Sequence, residues 1–254
     1  MFKIKINRNS GSPGTPVHDG INRRQNMYTT EKEMLKAKER FDIRDLRLIM
    51  KILRSDEGCP WDAEQTHSSV IPSLIEETYE VVEAIEKNSP DMLCEELGDV
   101  LLQVVFHTQM SEETGDFGFD DVVTGVCRKM IERHPHVFGS VIAEDSQTVL
   151  KNWDAIKART KNTDTLYEKL KSVAVTLPAL QRSQKVIHRI LKETSVPDVS
   201  ECGLSEKETA LGKKLFQAVQ ECEKEGVDAE TVLRRYCMAV TGAFSGENGI
   251  SKPD

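Results

Sequence analysis

The segment from Pro90 to about Glu113 constrains this chain more than any other. Met92, Leu93, Leu97, Val100, Leu101, Leu102, Val104, Val105 and Phe106 cover nearly the whole circumference of a helix, which therefore reads as a buried rod. Yet at about 100° per residue Glu96, Asp99, Gln103 and His107 line up on that helix in a stripe about 80° wide. An unpaired carboxylate in apolar surroundings is strongly unfavourable, so these acids have to be paired, protonated or bound to a cation. Only Lys87 stands between them and the acidic run before them. Ion pairs with distant lysines or arginines are one answer, and a divalent cation is the more direct one. Gly98, between the two acids, removes a side chain and would let a neighbouring helix approach closely.

The preceding helix, around 70–88, carries Leu74, Thr78, Val81, Val82 and Ile85 on one side. Glu76, Glu77, Glu80 and Glu83 fall opposite, within roughly 120°. Alone, that is the pattern of an ordinary solvated acidic face. The two helices, however, each hold an acidic pair at i, i+3, Glu77/Glu80 and Glu96/Asp99, which puts two carboxylates on adjacent turns of one face. Packed antiparallel, they would gather four carboxylates round one point. Oxygen ligands without His or Cys favour Mg²⁺, with Mn²⁺ as a possible substitute, over zinc.

Elsewhere the pattern is helical and period-two alternation is almost absent, so the expected fold is all-α. Residues 1–28 mix Asn, Ser, Gly, Pro and basic residues without periodicity and read as a tail, as do 242–254. Between them the expected organisation is a catalytic domain at 29–160, a helical linker at 161–204 and a shortened repeat at 205–241. Helices are expected at 120–134, stopping at Pro135, and at 146–159, 178–193, 205–225 and 228–241. The 34 basic and 42 acidic residues give a net charge of -8, which argues against a nucleic-acid or anionic-membrane surface. No apolar run approaches the roughly 20 residues of a membrane span. The N-terminus lacks the apolar core of a signal peptide, and six scattered cysteines without CxxC spacing fit reduced thiols. These features together suggest a cytoplasmic protein.

Glu76-Glu77-Thr78-Tyr79-Glu80 followed by Glu96-Leu97-Gly98-Asp99 resembles the EExxE…ExxD signature of the all-α nucleoside triphosphate pyrophosphohydrolases. GCPWDAEQTH at 58–67, EELGDVLLQVVFH at 95–107 and ERHPHVFG at 132–139 resemble the MazG branch in particular, over about residues 42–195. The resemblance implies a four-helix-bundle-like MazG core and Mg²⁺-dependent hydrolysis of nucleoside triphosphates to the monophosphate and pyrophosphate. Water activated by the metal would attack the α-phosphorus, over a broad range of bases. It also implies a homodimer or higher homo-oligomer. Glu77, Glu80, Glu96 and Asp99 would hold the metal, and Glu76 would orient or deprotonate the water or support a ligand from behind. A dUTP-, dCTP- or phosphoribosyl-ATP-type pyrophosphohydrolase of the same fold, or a non-catalytic helical interaction module, are the alternatives.

Charge makes a separate demand. Four carboxylates and a triphosphate of about -4 exceed the charge of even two Mg²⁺ ions, so basic side chains must make up the difference. Lys129 and Arg133 are i, i+4 neighbours, and Lys157 follows Trp153 by four residues, pairing a cation with an aromatic plate. The resemblance points to the same four positions, Lys129, Arg133, Trp153 and Lys157, as phosphate and base contacts. His134 and His136 flank a proline and read as a loop shaping the pocket wall. His107 reads as a satisfied buried histidine or as a partner of the acidic stripe. Cys59 and Trp61 read as loop packing over the site.

Residues 209–224 align without gaps to 95–110, and 226–241 align to 118–133 once Gly226 is matched to Gly118. Leu97/Leu211, Gly98/Gly212, Leu101/Leu215, Gln103/Gln217, Val105/Val219, Asp120/Asp228 and Met130/Met238 agree. At the acidic positions Glu96 becomes Ala210 and Asp99 becomes Lys213. The expectation is a second MazG-like copy without metal ligands, kept for packing or dimerisation.

Overall fold

Ser89 stops one helix and starts the next. Its side chain accepts a hydrogen bond from the Met92 N–H, and Pro90 occupies the first helical position, where a missing N–H is harmless. Asn88 just before it takes the left-handed conformation, φ 49°. This three-residue joint turns the chain back, so α4 (Ile71–Glu86) and α5 (Pro90–Thr114) form an antiparallel hairpin. Glu77 and Asp99 stand eleven residues either side of Asn88 and so come level.

A computed structural model describes residues 28–141, 145, 148, 149, 152, 153, 156, 165–199 and 203–244. Among these residues there are eleven helices and no strand, an all-α fold. The helix expected at 146–159 falls largely outside the described residues, and Lys157 wholly so. The chain divides into two compact units, Met1–Met130 and Ile131–Asp254.

In the first unit, α1 (Thr29–Lys36) precedes α2 (Ile43–Leu53), which opens with a capping box between Asp42 and Asp45. A short α3 (Pro60–Glu64) forms where the sequence around Cys59 and Trp61 reads as a loop, because Pro60 sits at its first turn. α2 and α4 both pack on α5. The core gathers Met50 of α2, Val70 just before α4, Val105, Phe106 and Met110 of α5, and Phe119 at the start of α6 (Phe119–Arg133).

Arg54, at the end of α2, ties the next stretch down. Its side chain is only 7 % exposed. The guanidinium donates to the Asp62 carbonyl at 2.5 Å and the Gln65 carbonyl at 3.2 Å, pairs with Glu113 of α5 at 2.7 Å, and lies over the Phe106 ring.

The rod is less buried than its sequence suggests. Its C-terminal half is enclosed, but Leu97 is 51 % and Leu101 41 % exposed, and a Cβ at Gly98 would meet nothing within 4 Å. No close helix approach at Gly98 occurs within the described residues. On α4 the inward face is also different from the apolar one. Val70, Glu77 and Ala84, seven residues apart, are buried, whereas Ile71, Ile75, Tyr79 and Ile85 are exposed. Pro135 does not simply end α6, since it begins a one-turn α7 (Pro135–Phe138).

The second unit contains α8 (Leu166–Lys171), capped by a Thr165/Glu168 box and absent from the sequence expectation. It is followed by α9 (Ala179–Leu191), α10 (Glu206–Lys224) and α11 (Ala229–Gly242). Ile187, Val219 and Ala229 form its buried cluster with Leu180, Phe216 and Cys222 alongside. Val219 and Phe216, which align in sequence with Val105 and Leu102 of α5, lie in this cluster. Arg47 of α2 bridges Glu112 and Asp120 while Glu112 accepts from the Phe119 N–H. Gln184 of α9 donates to Glu223 and the Val227 carbonyl and accepts from the Ala229 N–H. The last helix does need a new register. Asp228 is the N-cap of α11, whereas Asp120 lies inside the first turn of α6, so the two are not equivalent. Lys213, at the position of Asp99, pairs with Asp198 at 2.7 Å.

Candidate functional site

Glu77 is 6 % exposed in a face of α4 that would otherwise be apolar. Its partners across the hairpin are Glu96 and Asp99 of α5, both half-buried, and one carboxylate oxygen of each of the three residues lies within 4.8 Å of the others. Glu80, one turn further along α4, is close enough to share a proton with Glu77. Of the expected acids, Glu77, Glu80, Glu96 and Asp99 are thus brought together. Glu76 is exposed and stands outside the group.

The electrostatics are those of an unneutralised cluster. Burial, the proton shared with Glu80, and the charges of Asp99 and Glu80 push the Glu77 carboxyl up to about 7. Burial first, then the charges of Glu80, Glu95 and Asp99, raise Glu96 as well. Among the described residues no lysine or arginine pairs with any of the four, and Glu77 Oε2 is buried without a hydrogen-bond partner. A buried, unpartnered, repelled carboxylate oxygen is the mark of a missing positive charge.

The donor set fits a hard divalent cation. Two oxygens each about 2.1 Å from one Mg²⁺ stand at most about 4.2 Å apart, so the carboxylates, now within 4.8 Å of one another, must draw in by some tenths of an ångström to share an ion. The absence of nitrogen and sulfur from the group speaks against zinc.

The chain matches the MazG nucleotide pyrophosphohydrolase domain over residues 65–138, a stretch that contains all four acids. It is 36 % identical over 214 residues to an uncharacterised 26.1 kDa protein of Streptomyces cacaoi, covering 82 % of this chain and 86 % of that one. The chain belongs to the MazG nucleotide pyrophosphohydrolase family. It is also 45 % identical over 145 residues to the nucleoside triphosphate pyrophosphohydrolase of Escherichia coli, covering 57 % of this chain and 55 % of that protein. The Thermotoga maritima nucleoside triphosphate pyrophosphohydrolase/pyrophosphatase MazG is 45 % identical over 142 residues, 56 % and 54 % of the two chains. The chain thus spans about half the length of these two curated relatives.

Of the residues expected at the phosphates and base, Lys129, Arg133 and Trp153 are among the described residues. Lys129 is exposed on α6. In the second unit, Arg133 lies over the Trp153 ring with its guanidinium carbon 5.2 Å from the ring centroid, a cation–π contact. His134 meets the same indole edge-on at 5.0 Å and His136 at 5.6 Å from its own ring centroid. The Arg133–Trp153 pairing is a tertiary contact with no sequence spacing to announce it, and so is the edge-on contact of His134, read in sequence only as part of a pocket-wall loop, with the same indole. Cys59 is the N-cap of α3 and donates its backbone N–H to Leu53, while Trp61 is exposed. Gln103, on the acidic stripe, is buried with Oε1 unpartnered.

Proposed function

We propose that this chain hydrolyses nucleoside triphosphates to the nucleoside monophosphate and pyrophosphate, with broad tolerance of the base. The observation that carries this reading is the convergence of Glu77, Glu80, Glu96 and Asp99 with the innermost oxygen left without a partner. Mg²⁺, or Mn²⁺ in its place, would be held by these four residues and would supply the charge that binds and polarises phosphate oxygens and makes water acidic at neutral pH. The chain's own groups then have defined tasks. Glu77 holds a proton while the site is uncompensated and surrenders it when positive charge arrives. Lys129, Arg133 and Lys157 offset the charge that builds on the departing pyrophosphate. Trp153 offers a plate for any base, which gives affinity with little selectivity. In this reading residues 29–160 form the catalytic domain and 205–241 a copy that has lost its acids.

The purified 254-residue chain with Mg²⁺ and a panel of ribo- and deoxynucleoside triphosphates should release pyrophosphate and monophosphate. Orthophosphate as the first product, or no Mg²⁺-dependent turnover at all, would exclude the reading.

The assembly is proposed to be a homodimer or larger homo-oligomer. Ile71, Ile75 and Tyr79 repeat every four residues along α4, and with Leu97 and Leu101 of α5 they leave a hairpin apolar and exposed, as a face awaiting a second copy does. Light scattering should give at least twice the 28.6 kDa chain mass, and Ile75→Glu should shift it to the monomer. A monomeric wild type would rule the interface out.

A further inference from the structure

The segment 58–70 between α2 and α4 is fastened at two points. Arg54 holds the Asp62 and Gln65 carbonyls. The second fastening is His67, whose Nδ1 lies 2.8 Å from Nδ1 of His107 on α5. The ring planes are 9° apart and the centroids 5.1 Å apart. That separation equals the nitrogen–nitrogen distance plus the two ring radii, so the imidazoles meet edge to edge in one plane, joined by an N–H···N hydrogen bond. A cation does not fit on that line, because two nitrogens each about 2.0 Å from a metal would stand about 4 Å apart.

The outer nitrogens settle who donates. His67 Nε2 lies 3.4 Å from Ser111 Oγ, and His107 Nε2 is buried without a partner. With the bridging proton on His107, His67 Nε2–H can donate to Ser111, and only a bare lone pair is left buried. The opposite tautomer would bury an unpaired N–H, the less tolerable orphan.

Three residues after His67 comes buried Val70, the residue from which α4 starts, and two turns later comes Glu77. His107 sits two turns beyond Asp99 on α5. The histidine bond and the acidic cluster therefore join the same two pieces of chain. We propose that the His67–His107 hydrogen bond is a positioning device for the acidic site, which sets the rotation of α4 against α5 and opens when both Nδ1 atoms bear hydrogens. The proposal rests on the reading of the four carboxylates as a divalent-cation site.

Proton counting makes the bond conditional. It survives with one shared proton and fails when both Nδ1 atoms bear hydrogens. His107 is faced by His67 from the 58–70 segment, and His67 in turn by the Ser111 hydroxyl of α5. Among the described residues no charged group of α2, α4 or α6 acts on it. Burial first, then the His67 ring, holds His107 below the ordinary histidine value. A depressed folded-state value in a base means that the folded pair is most stable above the unfolded value of 6.5 and loses stability as pH falls below it, toward the doubly charged pair in which the bond is gone.

Mn²⁺ titration calorimetry on the full chain reads the placement of α4 without requiring turnover. At pH 7.5 His107→Ala should weaken Mn²⁺ binding about 10-fold, as loss of a group supporting metal ligands commonly does. His107→Asn, whose amide N–H stands in for Nδ1–H, should stay within about 2-fold of wild type. The double variant His67→Asn/His107→Asn keeps a bond that cannot titrate. On going from pH 7.5 to 5.5 wild type should therefore lose more affinity than this variant, the carboxylates being common to both. Unchanged Mn²⁺ affinity in His107→Ala alongside normal wild-type binding would overturn the proposal alone. Wild type that binds no Mn²⁺ would overturn both it and the cation-site reading. Should His107→Ala fail to fold, the pH comparison decides, and equal losses in wild type and double variant overturn the proposal.

Discussion

Asp99→Ala should lower turnover by about 10³-fold or more, since the several kcal/mol of charge stabilisation a metal supplies are lost with a ligand and each 1.4 kcal/mol or so is tenfold. Helical circular dichroism should be unchanged, because Asp99 is half-buried and carries none of the core contacts. Full activity in Asp99→Ala would remove the metal assignment. The companion variant Glu77→Gln should be equally inactive yet more stable than wild type in chelator at pH 8. The reason lies in proton binding. The folded protein holds a proton on Glu77 up to about 7, whereas the unfolded chain releases it near 4.5. Between those values the native state binds more protons, so stability falls as pH rises and is lowest above about 7. Melting temperature in EDTA should therefore decline across that window and level off beyond it. Glu77→Gln should flatten the curve, and saturating Mg²⁺ should lift its alkaline end by binding the folded form alone. A flat wild-type curve in EDTA would mean that the acids are already neutralised.

Arg54→Ala should destabilise the first unit by about 3 kcal/mol, the largest loss expected from any single side chain outside the apolar core. One change removes two hydrogen bonds to buried-side carbonyls, the pair with Glu113 and the packing of a guanidinium on Phe106. Arg54→Lys should recover less than half, because an ammonium cannot span two carbonyls and a carboxylate from one plane. Urea unfolding measures both. A loss in Arg54→Ala within about 0.5 kcal/mol, the range of an ordinary surface substitution, would show the contacts to be incidental.

How far these features were legible in the sequence differs by element. The α4–α5 hairpin was nearly complete in it, since Ser89-Pro90 is a local capping device and helical periodicity is a local property. The short α3 and α8 were not, because five- and six-residue helices hold too few turns to show a period. The four acids were legible through paired i, i+3 spacing, though the argument from a fully buried rod was too strong. Leu97 and Leu101 face outward, and burial at the site comes from Glu77 of the other helix turning inward.

By itself the sequence determined the all-α class, the helix boundaries near strong caps, the family, and which carboxylates would share a face, for all of these follow from neighbours within a few residues. Only the tertiary structure decided that Glu77 is the buried member and Glu76 an exposed one. It alone paired Arg133 and His134 with Trp153, and joined His67 to His107 across forty residues. Such pairings depend on the angle at which one element meets another, a quantity set by core packing and carried by no local pattern of residues.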